Sequence, residues 1–425
     1  IIVVSYVGFA PQEINLDDNL DTIEVKLKIK LIELDEVIIC HNYPTYGCGP
    51  TGCPTNLNIW DNIILGNFHH PYQILRGRVP GLTIAQPGGD PLGFFDVQQR
   101  GAHSILGSTE PLIVVDGLPG ASIQTIDPQD IESITVLRDP ATASMYGTRG
   151  ANGVISIQTK KSGFNKKLQL SYSGYASMEN VTRRPDVLSA ATFRRLANDA
   201  SFPYSDPAYD LGNSTDWLDE ITRTGVSQAH NLALAGRLEN TGYRVALNYR
   251  DVNGVARNSG FDQANLLLHI SQELFKSKLR LNAGGSFTQR NFTDVNKDIF
   301  YYAALMNPTA PVRNNSSQFG GYYHSQVFDL INPVALAEQV NDEGKQNIYT
   351  LHLGATWQIL DQLNTNVHYS AQNQDYKRNY NMAENIFPNV LPIVNNRSEA
   401  DLSNQFFEAT LKYDVYKEKY DIKIT

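Results

Sequence analysis

Residues 96–161 read DVQQRGAHSILGSTEPLIVVDGLPGASIQTIDPQDIESITVLRDPATASMYGTRGANGVISIQTKK, and this stretch decides the fold of the chain. It contains three short runs rich in β-branched residues, at Leu112–Val115, Ile131–Leu137 and Val154–Thr159. Asp116-Gly117 follows the first run and suits the positive φ angles of a tight turn. These signals predict three strands in a small α+β module.

Two Asp-Pro pairs in this stretch predict where short helices begin. Asp127-Pro128 has the form of an N-cap followed by proline at the first helical position, so a single helical turn can precede the second run. Asp139-Pro140 repeats the pattern and predicts a short helix over residues 141–146, which Gly147 can end in the left-handed region. Asn152-Gly153 predicts the turn into the third run.

The order of these segments resembles the plug domain of the SusC/RagA family of TonB-dependent outer-membrane transporters. The matching segments are LRGRVPGLTI (75–84), QRGAHSI (99–105), PLIVVDGLP (111–119), IESITVLRDPATASMYGTRGANGVISIQTKK (131–161) and NPTAPV (307–312). The plug-motif residues that carry the resemblance are Arg100, Gly101, Asp116, Gly117, Arg138, Asp139, Tyr146, Gly147, Arg149, Gly150, Asn152 and Gly153.

The resemblance implies a location in the bacterial outer membrane, as a multi-pass β-barrel in contact with outer-membrane lipids. It also implies three partners: a TonB-type energising protein inside, a SusD-like surface lipoprotein outside, and an oligosaccharide or peptide cargo. The fold class that we expect is a membrane all-β barrel with an α+β plug domain inside and the end of a small β-sandwich domain at the N-terminus.

The resemblance divides the chain into four parts. They are the C-terminal part of a carboxypeptidase-regulatory-like β-sandwich domain (1–33), a TonB-box region with a Cys/Gly/Pro linker (34–61), the plug (62–161) and the first nine strands of an incomplete barrel (162–425). We expect the N-terminal start to be missing, because Ile1 already lies inside a strand-like run. We expect the C-terminal remainder to be missing as well, because an open barrel edge in hydrocarbon would leave backbone groups unpaired.

Composition excludes several classes of protein. The net charge of −9 and the lack of a basic stripe argue against nucleic-acid binding. No window approaches the roughly 18 apolar residues of a membrane-spanning helix, so a chain in a membrane must cross it as a β-barrel. GxSxG and HExxH are missing, and residues 147–153 lack the GK[ST] ending of a phosphate loop, so we expect neither an enzyme nor a cofactor.

From residue 168 onward the sequence alternates between apolar and polar residues. Nine runs have roughly the length of a membrane strand; they are 168–176, 228–236, 242–250, 264–273, 279–288, 349–359, 363–371, 404–415 and 419–425. Long and short connections alternate between them without exception. This alternation is typical of an outer-membrane barrel with short periplasmic turns and long outer loops.

The sixth run, residues 349–359, has the clearest pattern. An apolar face predicted to meet lipid carries Leu351, Leu353, Ala355 and Trp357. An opposite face predicted to meet the plug carries His352, Gly354 and Thr356.

Residues 34–39, LDEVII, lie where the resembled family keeps its TonB box. An extended and exposed β-branched segment is what binding by strand addition requires, although many ordinary strands share this description. The candidate TonB-box residues are Leu34, Asp35, Glu36, Val37, Ile38 and Ile39.

The segment after LDEVII departs from the family. It contains all three cysteines of the chain, Cys40, Cys48 and Cys53, among glycines and prolines. Cys48 and Cys53 could form a disulfide in an oxidising periplasm, or remain free thiols. A metal site with His41 lacks the CxxC pairs of common zinc modules, so we expect no metal.

Two further groups of residues are candidates for contacts. Arg100, Arg138 and Arg149 are expected to form ion pairs that hold the plug in a polar lumen, the alternative being solvent-exposed charge. Five residues of the connection between the fifth and sixth runs are candidates for contact with a lid lipoprotein or cargo, or form a proline-stiffened loop without a partner; they are Asn307, Pro308, Pro311, Asn332 and Pro333.

Two functions follow from the sequence. The first is a TonB-energised importer of oligosaccharides or oligopeptides that works with a SusD-like lipoprotein. The second is a SusC-like barrel that serves as a structural subunit of a larger outer-membrane assembly or secretion complex, which the altered cysteine segment suggests. The retained plug motifs favour import, since a scaffold has less physical reason to keep them.

Overall fold

The computed structural model of the protein describes two short N-terminal strands and most of the chain from residue 55 onward. The described residues are 2–4, 12–14, 55–58, 68–86, 88–102, 104, 107–161, 168–199, 201, 205–315, 317, 319–325, 330–383, 395–417 and 420–424. Strands β1 (Ile2–Val4) and β2 (Gln12–Ile14) form an antiparallel pair. The predicted β-sandwich domain otherwise lies outside the described residues.

A small α+β domain, the plug, follows. Its strands are β3 (Thr55–Asn58), β4 (Leu82–Ala85), β5 (Asp96–Gln99), β6 (Leu112–Val115), β7 (Leu118–Pro119), β8 (Ile131–Leu137) and β9 (Val154–Thr159). Five of them form a sheet in the order β3-β8-β9-β6-β7, in which β6 and β9 are parallel, while β4 and β5 pair separately. The three strands predicted in residues 96–161 are confirmed.

The predicted caps shape the plug locally. Asp127 accepts a hydrogen bond from the Gln129 amide and opens a 3₁₀ turn at Pro128–Asp130, and Asp139 accepts one from the Thr142 amide at the start of α2 (Pro140–Ala143). The second helix is shorter than predicted, because the chain continues as 3₁₀ structure over Ser144–Gly150 with Gly147 at φ 59°.

The plug has one main apolar core. Helix α1 (Pro71–Leu75) and strands β8 and β9 contribute to it, and its fully buried side chains include Ile74, Leu75, Ile134 and Ile157. Burying an aliphatic side chain stabilises a fold by about 1.5–3 kcal/mol, so this cluster gives the plug a core of its own.

The rest of the described chain is dominated by one antiparallel nine-stranded sheet whose strands follow one another in sequence order. The strands are β10 (Gln169–Glu179), β11 (Gly225–Leu238), β12 (Thr241–Asn253), β13 (Gly260–Leu274), β14 (Leu279–Asp294), β15 (Val340–Leu360), β16 (Leu363–Met382), β17 (Asn395–Lys417) and β18 (Tyr420–Ile424). Each of the nine predicted runs overlaps one of these strands.

Several strands are much longer than the predicted runs. Strands β15, β16 and β17 contain 21, 20 and 23 residues, so most of the predicted connection over 372–403 is strand. The connection after β12 is likewise reduced to residues 254–259. The reason is that residues such as 372–382 are polar on both faces of the strand. They lack the alternation of apolar and polar residues that predicts a membrane strand, although their backbone pairing continues.

The sheet has two chemically different faces. On β12 the even-numbered residues 244–250 are buried, while Leu247 and Tyr249 are exposed. On β15 the predicted lipid face is also exposed, with Leu351, Leu353 and Trp357 each more than two-fifths accessible. We call the face with the even-numbered residues of β12 the inner face. No helix in the described part of the chain has the length and apolarity needed to cross a bilayer.

Two long connections pack together at the end of the sheet opposite the short turns; we call the described residues of 180–224 and 295–339 the outer cap. Their helices are α3 (Ala190–Ala197), α4 (Trp217–Ile221), α5 (Asp298–Leu305) and α6 (Pro333–Gln339). The fully buried Ile221, Ile299 and Leu336 join α4, α5 and α6 in one apolar cluster. The cap is therefore a packed unit.

Of the two alternatives for Asn332 and Pro333, contact with a partner or a proline-stiffened loop, their burial in the cap favours the loop. Asn332 is 3% exposed: its side chain caps α6 through the Val334 and Ala335 amides and donates to the carbonyl oxygens of Val312 and Tyr323. Pro333 is buried as well. An amide that satisfies four backbone groups is stable inside a packed loop, so this Asn-Pro pair holds the cap together.

Candidate functional site

The plug lies against the inner face of the nine-stranded sheet. Plug atoms bond Tyr175 of β10, Gln263 of β13, Gln372 of β16 and Asn404 of β17, and Phe406 packs on the plug core. Contacts from β10 to β17 with one small domain require the sheet to wrap around it. The prediction that the plug lies within the barrel wall is confirmed.

The strongest contacts form an ion-pair cluster between one plug turn and β12. Asp130 pairs with Arg244 at 2.8 Å, and Asp127 pairs with Arg250, whose other terminal nitrogen donates to the His69 carbonyl oxygen at 2.6 Å. All four charged side chains are less than one-tenth exposed. Removing one partner of such a pair leaves a buried charge and costs about 3–5 kcal/mol.

Amide side chains extend this cluster across three strands. Asn231 of β11 and Asn248 of β12 both donate to Asp130, and Asn248 also donates to Asn265 of β13 at 3.1 Å. Asn265 in turn donates a hydrogen bond to the Thr288 hydroxyl of β14 at 2.6 Å. The carboxylate of Asp130 is thus fully engaged although it is only 1% exposed.

The charges of this interface are reversed relative to the prediction. The plug contributes the acids and the wall contributes the arginines. Arg149 donates instead to the Pro119 carbonyl oxygen at 3.4 Å, and Arg138 donates to that of Pro80 at 3.2 Å. Within the described residues, neither Arg100 nor Arg149 forms an ion pair. Sequence analysis assigned Asp127 only a capping role and missed Asp130, Arg244 and Arg250.

Contacts on the far side of the plug are neutral. Gln372 accepts a hydrogen bond from the Ser122 amide at 3.0 Å, and Asn404 donates to the Pro119 carbonyl oxygen at 2.8 Å. His368 approaches the Asp116-Gly117 turn so closely that a Cβ atom on Gly117 would lie 2.9 Å from its Nε2. Gly117 also has φ 87°, so this position favours glycine for two reasons.

His69 and His70, the polar turn before α1, connect the plug to β10. His69 Nε2 lies 3.3 Å from a Glu179 carboxylate oxygen. His70 caps α1 by accepting from the Tyr72 amide, and its ring stacks on Phe95 with centroids 4.5 Å apart. Desolvation by this packing lowers the pKa of His70 to about 3. His70 is therefore a neutral structural histidine.

The plug-motif residues mainly build the plug itself. Asp116 accepts from the Thr159 amide at 3.0 Å and from its hydroxyl at 2.7 Å, which ties the first predicted turn to β9. Asn152 donates to the carbonyl oxygens of Ser108 and Glu110, and Tyr146 packs on the small cluster beside β9. Arg100, at φ 60°, Gly101, Gly147 and Gly153 hold positive φ angles, and Gly150 lies where a Cβ atom would meet the Ala143 carbonyl oxygen.

The outer cap lines a partly open cavity of about 1400 Å³. Its lining includes Phe193, Trp217, Leu305, Asn307 and Pro308, so two of the predicted contact residues border it. Pro311 lies half-buried nearby. Lys297, which precedes α5, forms an ion pair with Asp90 of the plug at 2.9 Å, and this pairing raises the pKa of Lys297.

Two predicted sites lie outside the described residues. They are the candidate TonB box at 34–39 and the cysteine segment with Cys48 and Cys53. The residues that the structure does describe contain no group of three or more His, Cys, Asp or Glu side chains arranged to hold a metal ion.

Comparison with known proteins agrees with this geometry. Residues 65–154 match the family model of the TonB-dependent receptor plug domain. The chain is 32% identical over 380 residues to the TonB-dependent receptor SusC of Bacteroides thetaiotaomicron, covering 82% of this chain and 37% of that protein. It is 30% identical over 388 residues to the TonB-dependent receptor P3 of Formosa agariphila, covering 88% of this chain and 37% of that protein.

Solved structures show the same fold. The RagAB peptide importer in its closed-closed state superimposes with a TM-score of 0.72 at 19% identity, over 88% of this chain and 47% of that chain. The siderophore receptor PirA of Acinetobacter baumannii superimposes with a TM-score of 0.52 at 15% identity, over 86% of this chain and 46% of that chain.

A plug domain held inside an antiparallel membrane sheet defines a TonB-dependent outer-membrane receptor. Within that class, the chain belongs to the SusC/RagA family. It spans 37% of the length of the SusC and P3 receptors that it matches.

Proposed function

We propose that the complete protein imports an oligosaccharide or oligopeptide across the outer membrane. A TonB-type protein binds residues 34–39 as an added strand and pulls on the plug, and a SusD-like lipoprotein delivers cargo at the outer cap. The observation that carries this proposal is the interface between plug and wall. It consists mainly of hydrogen bonds and of ion pairs at the Asp127–Asp130 turn and at Asp90–Lys297, with Phe406 as an apolar contact on the plug core. The plug can therefore separate from the wall while most of its apolar core stays buried.

The outer cap supports the second half of the proposal. Its cavity of about 1400 Å³ exceeds the roughly 300–1000 Å³ of small-molecule pockets, which suits a chain-like cargo. The Asp90–Lys297 ion pair joins the cap to the plug, so α5, whose end at Leu305 lines the cavity, is connected at its start to the element that must move.

The test uses the complete gene in its native host. Ile38→Pro removes a backbone donor and fixes φ, so strand addition to TonB should fail, while Ile38→Val keeps the β-branched strand former. The host carrying Ile38→Pro should lose growth on those oligosaccharides or peptides that the Ile38→Val control still uses. Normal growth of both variants on every such nutrient, at equal protein abundance, would favour the structural-subunit function.

A further inference from the structure

The space between plug and wall is unevenly distributed. A cavity of about 380 Å³, which we call the lumen gap, lies between the plug edge at Asp116 and Thr159 and the inner face of β13–β16. Along β14 it extends from Ser286 to Arg280, which is about 20 Å of strand and leads toward the short turns. The ion-pair cluster borders the gap through Asp127 and Asp130 and is held by β11 and β12, so the plug is bound by buried charges there and leaves open space along β14 and β15.

Glycines on the inner face of the wall leave part of the lumen gap unfilled. Gly284 and Gly354 both line it on the inner face. A Cβ atom on Gly284 would meet no atom closer than 3.5 Å, and one on Gly354 none closer than 3.8 Å. Both distances are ordinary van der Waals contacts, so alanine would fit at either position and would fill part of the gap. The sequence therefore leaves open a space that a purely structural wall could fill.

A buried histidine points to a ligand in this space. His269 is 9% exposed and lines the lumen gap, and its Nδ1 atom has no hydrogen-bond partner among the described residues. Leaving a buried polar atom unsatisfied costs about 1–3 kcal/mol. A hydroxyl group can satisfy imidazole nitrogen in either tautomer, because it both donates and accepts.

The lumen gap offers no uncompensated charge at its centre. Asp116 is bonded to Thr159 and lies 3.9 Å from Lys161, and Arg280 is paired with Glu273 at 2.7 Å. Two further carboxylates of the lining, Asp127 and Asp130, are neutralised by Arg250 and Arg244. The other polar groups of the lining are hydroxyl, amide and imidazole groups, such as those of Ser271, Asn282 and Thr350. An anionic cargo would have to enter this site without a counter-ion.

We propose that the plug opens along the lumen gap while the ion-pair cluster stays closed, and that the gap passes an uncharged, hydroxyl-bearing chain such as a neutral oligosaccharide. This inference rests on the proposed import function. It adds the side of the plug on which the path opens and the chemical class of the cargo.

Two cysteine reporters in one row of the sheet test the path. Ala233 of β11 and Thr350 of β15 belong to the same hydrogen-bonded row, in which Ala246, Leu267 and Ser286 connect them. They lie four strands, or about 19 Å, apart at one level of the wall. Ala233 borders the cluster, whereas Thr350 lines the lumen gap.

Each reporter is placed in the complete protein, with its native cysteines replaced by serine, in the outer membrane of cells with and without TonB that grow on a mixed nutrient broth. A membrane-impermeant maleimide is added from outside. Thr350→Cys should be labelled several-fold faster when TonB is present, and Ala233→Cys at one slow rate in both strains. If the Thr350→Cys protein is less abundant in the membrane than the Ala233→Cys protein, Ser286→Cys is used in its place.

The outcomes separate the two proposals. An equal TonB-dependent rise at both positions would mean that the whole plug leaves, which overturns the path along the gap but keeps import. A lack of TonB dependence at both positions would overturn the import function itself.

The cargo class is tested with two maleimides of similar size at Thr350→Cys in TonB-containing cells. A hydroxylated neutral reagent should react several-fold faster than a sulfonated one, after division by their rates with free cysteine. Equal normalised rates, or faster reaction of the sulfonate, would overturn the assignment to neutral cargo.

Discussion

The ion pair between Asp127 and Arg250 should dominate the stability of the docked plug. Arg250→Met removes the guanidinium, which is 4% exposed, and leaves Asp127 buried without its counter-ion. Such a loss costs about 3–5 kcal/mol. Asp127→Asn is the matched change, because asparagine can still cap the Pro128–Asp130 turn while the charge disappears. The double variant leaves no buried charge in this pair, so its cost should be well below the sum of the single costs.

The assay is proteolysis of the plug in the complete, detergent-solubilised protein as urea increases, with barrel integrity followed by gel mobility. With an m-value of about 2 kcal/mol per M, each single change should lower the urea midpoint of plug release by about 2 M. Arg280→Met is the control, because its pair with Glu273 is half-exposed on the arginine side and does not involve the plug. Single shifts no larger than the control, or strictly additive shifts in the double variant, would refute the reasoning.

Three further predictions follow from the same structure. Leu353→Arg places a charge on the lipid face and should lower the free energy of unfolding by about 2–4 kcal/mol in refolding titrations. Thr356→Arg on the inner face should lower it much less, and equal costs would contradict the assigned faces. Gly117→Ala should lower the urea midpoint of plug release, because φ is 87° and His368 is too close; His368→Ala should restore only the steric part, and an unchanged midpoint in the single variant would contradict this. Because the pKa of His70 is about 3 when folded and near 6.5 when unfolded, plug stability should fall with a slope of up to about 1.4 kcal/mol per pH unit as pH drops from 6.5; the midpoint of His70→Asn should have a flatter pH dependence, and an identical slope would assign the effect to other groups.

Local features were predictable because their causes are local. The Asp-Pro caps and the alternation of β12 and β15 depend on residues a few positions apart, and the structure confirms them. The number of strands in the sheet was predictable for the same reason. The strand ends were not predictable. The ends of β15–β17 that lie away from the short turns are polar and lack an apolar–polar alternation, so only their pairing with the adjacent strands makes them strand.

The interface between plug and wall could not be derived from local pattern. Asp130 and Arg244 are separated by 114 positions, and nothing near either residue indicates its partner. A usable signal was present on β12, where Arg244, Asn248 and Arg250 occupy inner positions of a predicted strand. Two arginines on a buried face require carboxylates opposite them, so this pattern predicts acidic partners on the plug.

Asp127 and Asp130 occupy a single 3₁₀ turn, and this arrangement has a mechanical consequence. Bonds arranged one after another along a pulled chain break in succession, each under the full load at its own moment. Bonds side by side on one rigid turn share the load and must fail together. The bonds of the cluster should therefore break cooperatively. A weak pull should break none of them, and a sufficient pull should break all of them without a partly attached intermediate on that side of the plug.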